Sequence, residues 1–413
     1  MIRALAPVAS LLVGVAILLT GQGLQGMLLP IRANLENFSV YDVGFIGATY
    51  FLGFTLGCLL GARMIRRVGH IRVFAAMTAA ASAAPLLHGL WINMWSWAVL
   101  RMISGLCFAI LYMVIESWIN EKASNENRGT IFSAYVLINM TVLAVGQQML
   151  LIADPRSITL FVIASVLVSL ATLPVALSNS ELPRDVQVVK LDIPYLYRTS
   201  PAGMLGALAT GLANGSFWAL APIFGAAYSD DVSVATWIMT ASVLGGVIGQ
   251  WPLGRLSDRI DRRYVMGAVS FGGAAVAVVI WGFADSLSTL SIILLCGFWG
   301  AMAFPLNAVS IAHANDYANP DEFVMVSSGL LLMYGIGAVI GPFIASASMA
   351  FFGPGGLYVF TAIIHTLLLV YILNRTIRRR PSPDDEHVLF DDALAASRTT
   401  SQVYEEEIES RGD

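Results

Sequence analysis

The sequence predicts an all-α membrane protein whose twelve transmembrane helices form two pseudo-symmetric six-helix bundles. Three observations carry that expectation. The first is hydropathy. Its mean is +0.73, with 57% hydrophobic and 12% charged residues, whereas a soluble domain has about 25% charged residues. The second is length, since 413 residues accommodate about twelve spans of roughly 20 residues joined by short loops. The third is an internal repeat. A shift of 192 residues, with no gap, lays Gly14 on Gly206, Gly23 on Gly215, Pro30 on Pro222, Gly53 on Gly245, Gly57 on Gly249, Arg67 on Arg259 and Gly105 on Gly297. Most of these matches are Gly or Pro, the residues that let helices approach closely or break. Two related hydrophobic halves imply a site between them.

The apolar runs place the first six spans at 5–30, 40–64, 72–91, 95–119, 130–152 and 158–177. The second six fall at 202–226, 233–253, 264–284, 287–311, 324–350 and 354–374. The expected organisation is therefore an N-terminal bundle over 1–177, a polar cytoplasmic linker over 178–200, a C-terminal bundle over 201–377 and a tail over 378–413. Arg3 and the apolar run behind it resemble a signal peptide. The run continues to Pro30 without a clear cleavage site, so it is expected to stay as the first helix. Ten of the 27 acidic residues follow Arg380, and a tail of that composition is expected to be disordered.

Lysine and arginine set the orientation. With both termini inside, the inner segments take Arg3; Arg63, Arg66, Arg67 and Arg72; Lys122 and Arg128; Arg184, Lys190 and Arg198; Arg255, Arg259, Arg262 and Arg263; and Arg375 with Arg378, Arg379 and Arg380. Only Arg32 and Arg156 fall in outer loops. The body before the tail is nearly neutral and carries no nucleic-acid footprint. Cys58, Cys107 and Cys296 lie in apolar stretches without metal-site spacing, so they read as small hydrophobes. No phosphate-binding loop, paired metal ligands or activated nucleophile is present. The expectation is a chain that is not an enzyme and has neither cofactor nor metal.

GRLSDRIDRR, Gly254 to Arg263, is the sharpest motif. Gly254 permits close helix contact, Asp258 can face a helix N-terminus, and Arg259, Arg262 and Arg263 can bridge to acidic groups. It resembles the cytoplasmic loop signature of the major facilitator superfamily, with Asp261 where the pattern has Gly. In that family the cluster latches the cytoplasmic side of a carrier facing outward. The first-half counterpart has Arg66 at the Asp position, followed by Arg67, Val68 and Gly69. Glu116 or Glu121 can supply the missing negative charge. VGHIRVF together with ESWINEKASNENRG resembles the YcaD-like branch of the superfamily. RMISGLCFA, beginning at Arg101, resembles its fourth-helix motif, often linked to proton transfer.

The resemblance implies a secondary carrier in a bacterial cytoplasmic (inner) membrane that moves a small organic solute by alternating access, coupled to protons, with export favoured over uptake. It implies a monomer whose partners are that solute, protons and the lipid bilayer, with no nucleic acid. A charge at membrane depth is costly and rarely faces lipid. Arg101, Gly105, Phe108, Tyr112 and Glu116 recur at helical spacing, so this stripe is expected to line a central cavity, with Arg101 and Glu116 in coupling. Gln22 and Gln25, Asn139 and Gln147, Asn214 and Trp218, and Asn307 sit at comparable depths and are expected to meet substrate. Arg66, Arg67, Gly69, Glu121, Arg128, Gly254, Asp258, Arg259, Arg262 and Arg263 are expected to form the cytoplasmic gate. Two other readings stay open: a lipid flippase of this fold, and a non-transporting sensor acting through its acidic tail.

Overall fold

A computed structural model describes residues 8–122, 128–176, 192–319 and 322–378, and these are helical apart from short connections. In the first half α1 spans Ala9–Leu35, α2 Val40–Val68, α3 His70–Leu90, α4 Met94–Lys122 and α5 Arg128–Gln148, which a 3-10 turn extends to Ile152. Then come α6, Thr159–Leu170, and α7, Thr172–Ala176. In the second half α8 spans Ile193–Thr199, α9 Pro201–Tyr228, α10 Val232–Ser257, α11 Arg262–Phe283, α12 Thr289–Ala303, α13 Leu306–Asn315, α14 Phe323–Phe352 and α15 Gly356–Arg378. The tail expected to be disordered, and the linker up to residue 191, lie outside the described residues.

Helix ends follow from local chemistry. Ser39 and Asp42 open α2 with reciprocal bonds, the Ser39 Oγ accepting from the Asp42 N–H and the Asp42 carboxylate from the Ser39 N–H. Asp42 is thus a cap. Gly69 closes α2 at φ +92°, a conformation that suits glycine. Ser200 caps α9 with Pro201 behind it, and Asp231 and Ser288 cap α10 and α12.

Among the described residues eleven helical spans are long and apolar enough to cross a membrane, and Thr159–Val175 is a shorter apolar segment. Two spans expected to be continuous are broken. Pro174 has no N–H for the Leu170 carbonyl, and α6 gives way to α7 there. Pro305 likewise divides the expected 287–311 span into α12 and α13. The expected linker ends in a helix, α8, that composition alone did not indicate.

The repeat reappears as packing. α2 crosses α4 as α10 crosses α12, α1 packs on α5 as α9 does on α14, and α3 on α6 as α11 does on α15. Repeated glycines sit at these crossings. A Cβ on Gly53 would lie 1.9 Å from the Met102 carbonyl oxygen, and one on Gly105 2.0 Å from that of Tyr50. In the second half a Cβ on Gly245 would lie 1.8 Å from the Gly297 oxygen, and one on Gly300 2.1 Å from that of Ser242. Strict repetition would set Leu294 against Gly245. The structure uses Gly297, so α12 is displaced by three residues, about one helical turn, along its partner.

The halves are joined unequally. One hydrophobic cluster includes Leu24, Leu28, Ile46 and Phe161 of the first half together with Phe217, Ile238 and Tyr358 of the second. These residues lie toward the end remote from the basic loops. Toward the basic end the cores are separate, with Val15, Ile65, Ile115 and Ile131 in one. Val265 and Val309 belong to a second, and Leu196, Ile311 and Val326 to a third. Contacts across the halves gather at the far end and reach mid-helix depth, where a Cβ on Gly335 would lie 2.5 Å from the Thr55 Oγ1. Gln148 donates to Thr240 at 2.8 Å and accepts from Thr236 at 3.1 Å, and the rings of Phe45 and Phe343 lie 5.9 Å apart.

A methyl group added at a close crossing must push two backbones apart. Gly53→Ala should therefore lower thermal stability in detergent by about 1–3 kcal/mol, the scale of an overpacked core. Gly26→Ala, whose Cβ meets nothing within 4 Å, should leave it unchanged or slightly raised. Equal unfolding temperatures for the two variants would contradict the packing assigned to Gly53.

Candidate functional site

The far-end seal and the separate cores leave a cavity of about 470 Å³ between the halves. Along α2 its wall runs from Gly47 to Ala62, about 22 Å of helix. Its α2 wall reaches Ala62, toward the basic end, where no hydrophobic core shared by the halves is found among the described residues.

Of the residues expected to couple transport or meet substrate, Arg101, Glu116, Gln22, Tyr112, Asn139, Gln147, Asn214, Trp218 and Asn307 line this cavity. Phe108 and Gln25 do not. Phe108 is fully buried in the first-half core. Gln25 is 1% exposed and faces protein, with Nε2 lacking a partner. Gly105 serves the crossing of α2 and α4.

The first-half wall is a polar chain. Gln22 Nε2 donates to the Tyr50 hydroxyl at 2.8 Å, and the Tyr112 hydroxyl donates to Gln22 Oε1 at 2.9 Å. The Arg101 guanidinium lies over the Tyr50 ring, 4.2 Å from its centroid, in cation–π contact. One turn beyond Tyr112, Glu116 is buried and its Oε1 accepts from the Tyr135 hydroxyl at 3.2 Å. The second-half wall is aromatic. Trp218 and Phe304 stack with centroids 5.6 Å apart and planes 5° apart. Behind them Phe217 stacks on Trp299 at 4.8 Å. Asn139, Asn214 and Asn307 each leave Oδ1 without a donor.

Several lining residues were not anticipated. Tyr50 has no distinguishing sequence context, although it faces Arg101 once α2 crosses α4. Phe304 reaches the wall because Pro305 breaks the span next to it. Gln250, a polar residue in an apolar run, carried a readable signal. His88 and His365 lie away from the cavity. His88 bonds the Ala84 carbonyl at 2.6 Å, and His365 sits beneath Trp299.

The expected gate residues form one network and several exposed cations. Arg262 opens α11 and bridges Asp258, which ends α10, at 3.3 Å and Asp316, which ends α13, at 3.0 Å. Gly254 is buried one turn before Asp258. Asp261, in place of the motif's Gly, caps α11 and clamps Arg263 at 2.5 Å. Burial disfavours the Asp261 charge, yet the side-chain and backbone bonds from Arg263 outweigh it and hold the carboxyl below its usual range. All these bonds stay within the second half. Arg66, Arg67 and Arg259 are exposed and make no ion pair among the described residues. Glu121 is exposed as well and is not paired with Arg66 or Arg67. The Arg128 side chain lies outside the described residues.

A family model described as the Major Facilitator Superfamily matches residues 11–190 and 203–403. The uncharacterized MFS-type transporter YcaD of Escherichia coli O17:K52:H18 is 29% identical over 388 residues, covering 91% of this chain and 97% of its own. Among solved structures the nucleoside transporter NupG aligns with a TM-score of 0.75 at 12% identity, over 91% of this chain and 100% of its own. An inward-facing, occupied bacterial homolog of the human lysosomal transporter Spinster aligns with a TM-score of 0.68 at 14% identity, over 93% and 97%. These last two likenesses show the fold. The motifs, the repeated packing and the family match agree, and the chain belongs to the major facilitator superfamily, as a secondary transporter of its YcaD-like branch.

Proposed function

We propose that this carrier has twelve spans in two six-helix bundles, which rock about the cavity and carry a small, partly apolar organic solute with protons. The Thr159–Val175 segment completes the first bundle, and a linker ending in α8 joins the second. The observation that carries this reading is a cavity walled by both halves and sealed at one end. With the basic loops and both termini in the cytoplasm, the described state is open inward. The protein works as a monomer in the bacterial inner membrane, because each bundle pair encloses its own cavity.

Glu116 is the proton-coupling group in this reading, at the inner part of the cavity and linked to α5 through Tyr135. Arg101, Gln22, Tyr112, Asn139, Gln147, Asn214, Trp218 and Asn307 contact the solute. Arg66, Arg67 and Arg259 have no ion-pair partner among the described residues, the inner ends being apart in this reading, and they come together with acidic groups when the cavity turns outward. The Arg262 network keeps α10, α11 and α13 moving as one body, so the second bundle rotates without deforming.

A metabolite screen by thermal unfolding supplies the solute, and proteoliposomes under an imposed pH gradient then test transport. Glu116→Gln should reduce gradient-driven accumulation to background while solute exchange without a gradient persists. Undiminished accumulation would remove Glu116 from coupling. Asp316→Asn leaves a buried guanidinium short of a partner and should destabilise by about 3–5 kcal/mol. Asp258→Asn, at a more exposed bridge, should cost less stability and mainly slow turnover. A larger loss for Asp258→Asn would contradict that ranking.

A further inference from the structure

Arg101 differs from the other buried or gate-anchoring arginines. Arg32 bridges Glu36, Arg262 bridges Asp258 and Asp316, and Arg263 bridges Asp261. Arg101 reaches the cavity wall with no carboxylate partner among the described residues, one face resting on Tyr50. Glu116, the acidic residue on this wall, is fifteen residues away on the same helix, about 22 Å, and is bonded to Tyr135. In the open cavity water can solvate the guanidinium. When the bundles close, that water is lost, and an unbalanced buried cation becomes costly. The balancing charge must therefore arrive with the cargo.

The facing wall limits the rest of the cargo. Trp218 and Phe304 offer stacked aromatic surface, which suits a flat apolar body. Asn214 and Asn307 beside it have amide oxygens without donors, which suits a cargo bearing an N–H or O–H. A single guanidinium, with no second cation on the wall among the described residues, matches one carboxylate and leaves a dianion half-compensated. A cationic cargo would be repelled.

We infer that the cargo is an organic monoanion, its carboxylate gripped by Arg101 and its flat, donor-bearing body stacked against Trp218 and Phe304. This deepens the carrier reading above and rests on it. The guanidinium can take a carboxylate through two parallel N–H bonds, a geometry lysine does not reproduce.

Three near-isosteric probes test the inference on the purified full-length protein by thermal unfolding: indole acetate, indole acetamide and tryptamine, which carry negative, zero and positive charge. Indole acetate should stabilise at the lowest concentration. Arg101→Gln should weaken it by about tenfold or more, the loss of a charge-assisted bond, and Arg101→Lys by less. If Arg101→Gln does not fold, the ranking of the three probes on the unsubstituted protein decides the matter. Tighter or equal binding of the amide or the amine would overturn the anionic cargo and leave the carrier reading standing. So would undiminished binding of indole acetate to Arg101→Gln. Stabilisation by none of the three would overturn the anionic cargo together with the cavity's role as a small-molecule site.

Discussion

The constraint on which this structure depends is the close approach of helix backbones where no hydrophobic effect can drive them together. Lipid is as apolar as leucine, so helices in a bilayer associate through packing and polar contact. Here glycine supplies the packing. Gly53 and Gly105 bring α2 and α4 to backbone contact, and Gly245 and Gly300 do the same for α10 and α12. Such crossings hold each half as a unit. Their rigidity is what makes the unequal junction between halves consequential: two stiff bodies joined by one core at the far end can rock, whereas two soft ones would deform.

The cavity's chemistry follows from that division. Side chains that point between the halves have lost the neighbours they would have in a single core. Arg101, Asn139, Asn214 and Asn307 are polar groups whose complement is absent, or only partly met, among the described residues. Gln147 and Gln148, nearer the seal, find partners across the junction in Thr236 and Thr240. The same residue type thus closes the far end and lines the open part, depending only on which helix faces it. At the basic end, Arg262 bridges Asp258 and Asp316, and Arg263 bridges Asp261, all within the second half.

Much of this was legible in the sequence because membrane spans leave a coarse signal. The repeat of Gly23 on Gly215 and Gly53 on Gly245 anticipated matching helix crossings, and basic residues fixed which loops share a side. Amides and Arg101 at similar depths anticipated several of the polar residues on the cavity wall. What failed to show was local. Pro174 and Pro305 broke spans that hydropathy drew as continuous, because a missing N–H does not alter mean hydropathy. Phe108 fell on the stripe of Arg101 and Tyr112, yet it packs into the first-half core. Tyr50 and Phe304 were invisible until the crossings brought them to the wall. The one-turn displacement of α12 could not be read either, since it depends on which carbonyl each glycine meets.

The central claim is that two rigid bundles exchange an opening at one end for an opening at the other. Double electron–electron resonance in lipid nanodiscs tests it most directly, with Cys58, Cys107 and Cys296 replaced by Ala. One spin-label pair at exposed Val68 and Ile260 would report the basic end, and a second at exposed Tyr41 and Phe351 the far end. The account predicts two populations at each end, anti-correlated as pH is varied: where the basic-end distance shortens, the far-end distance lengthens. A single unchanging distance at both ends across the same range would contradict it.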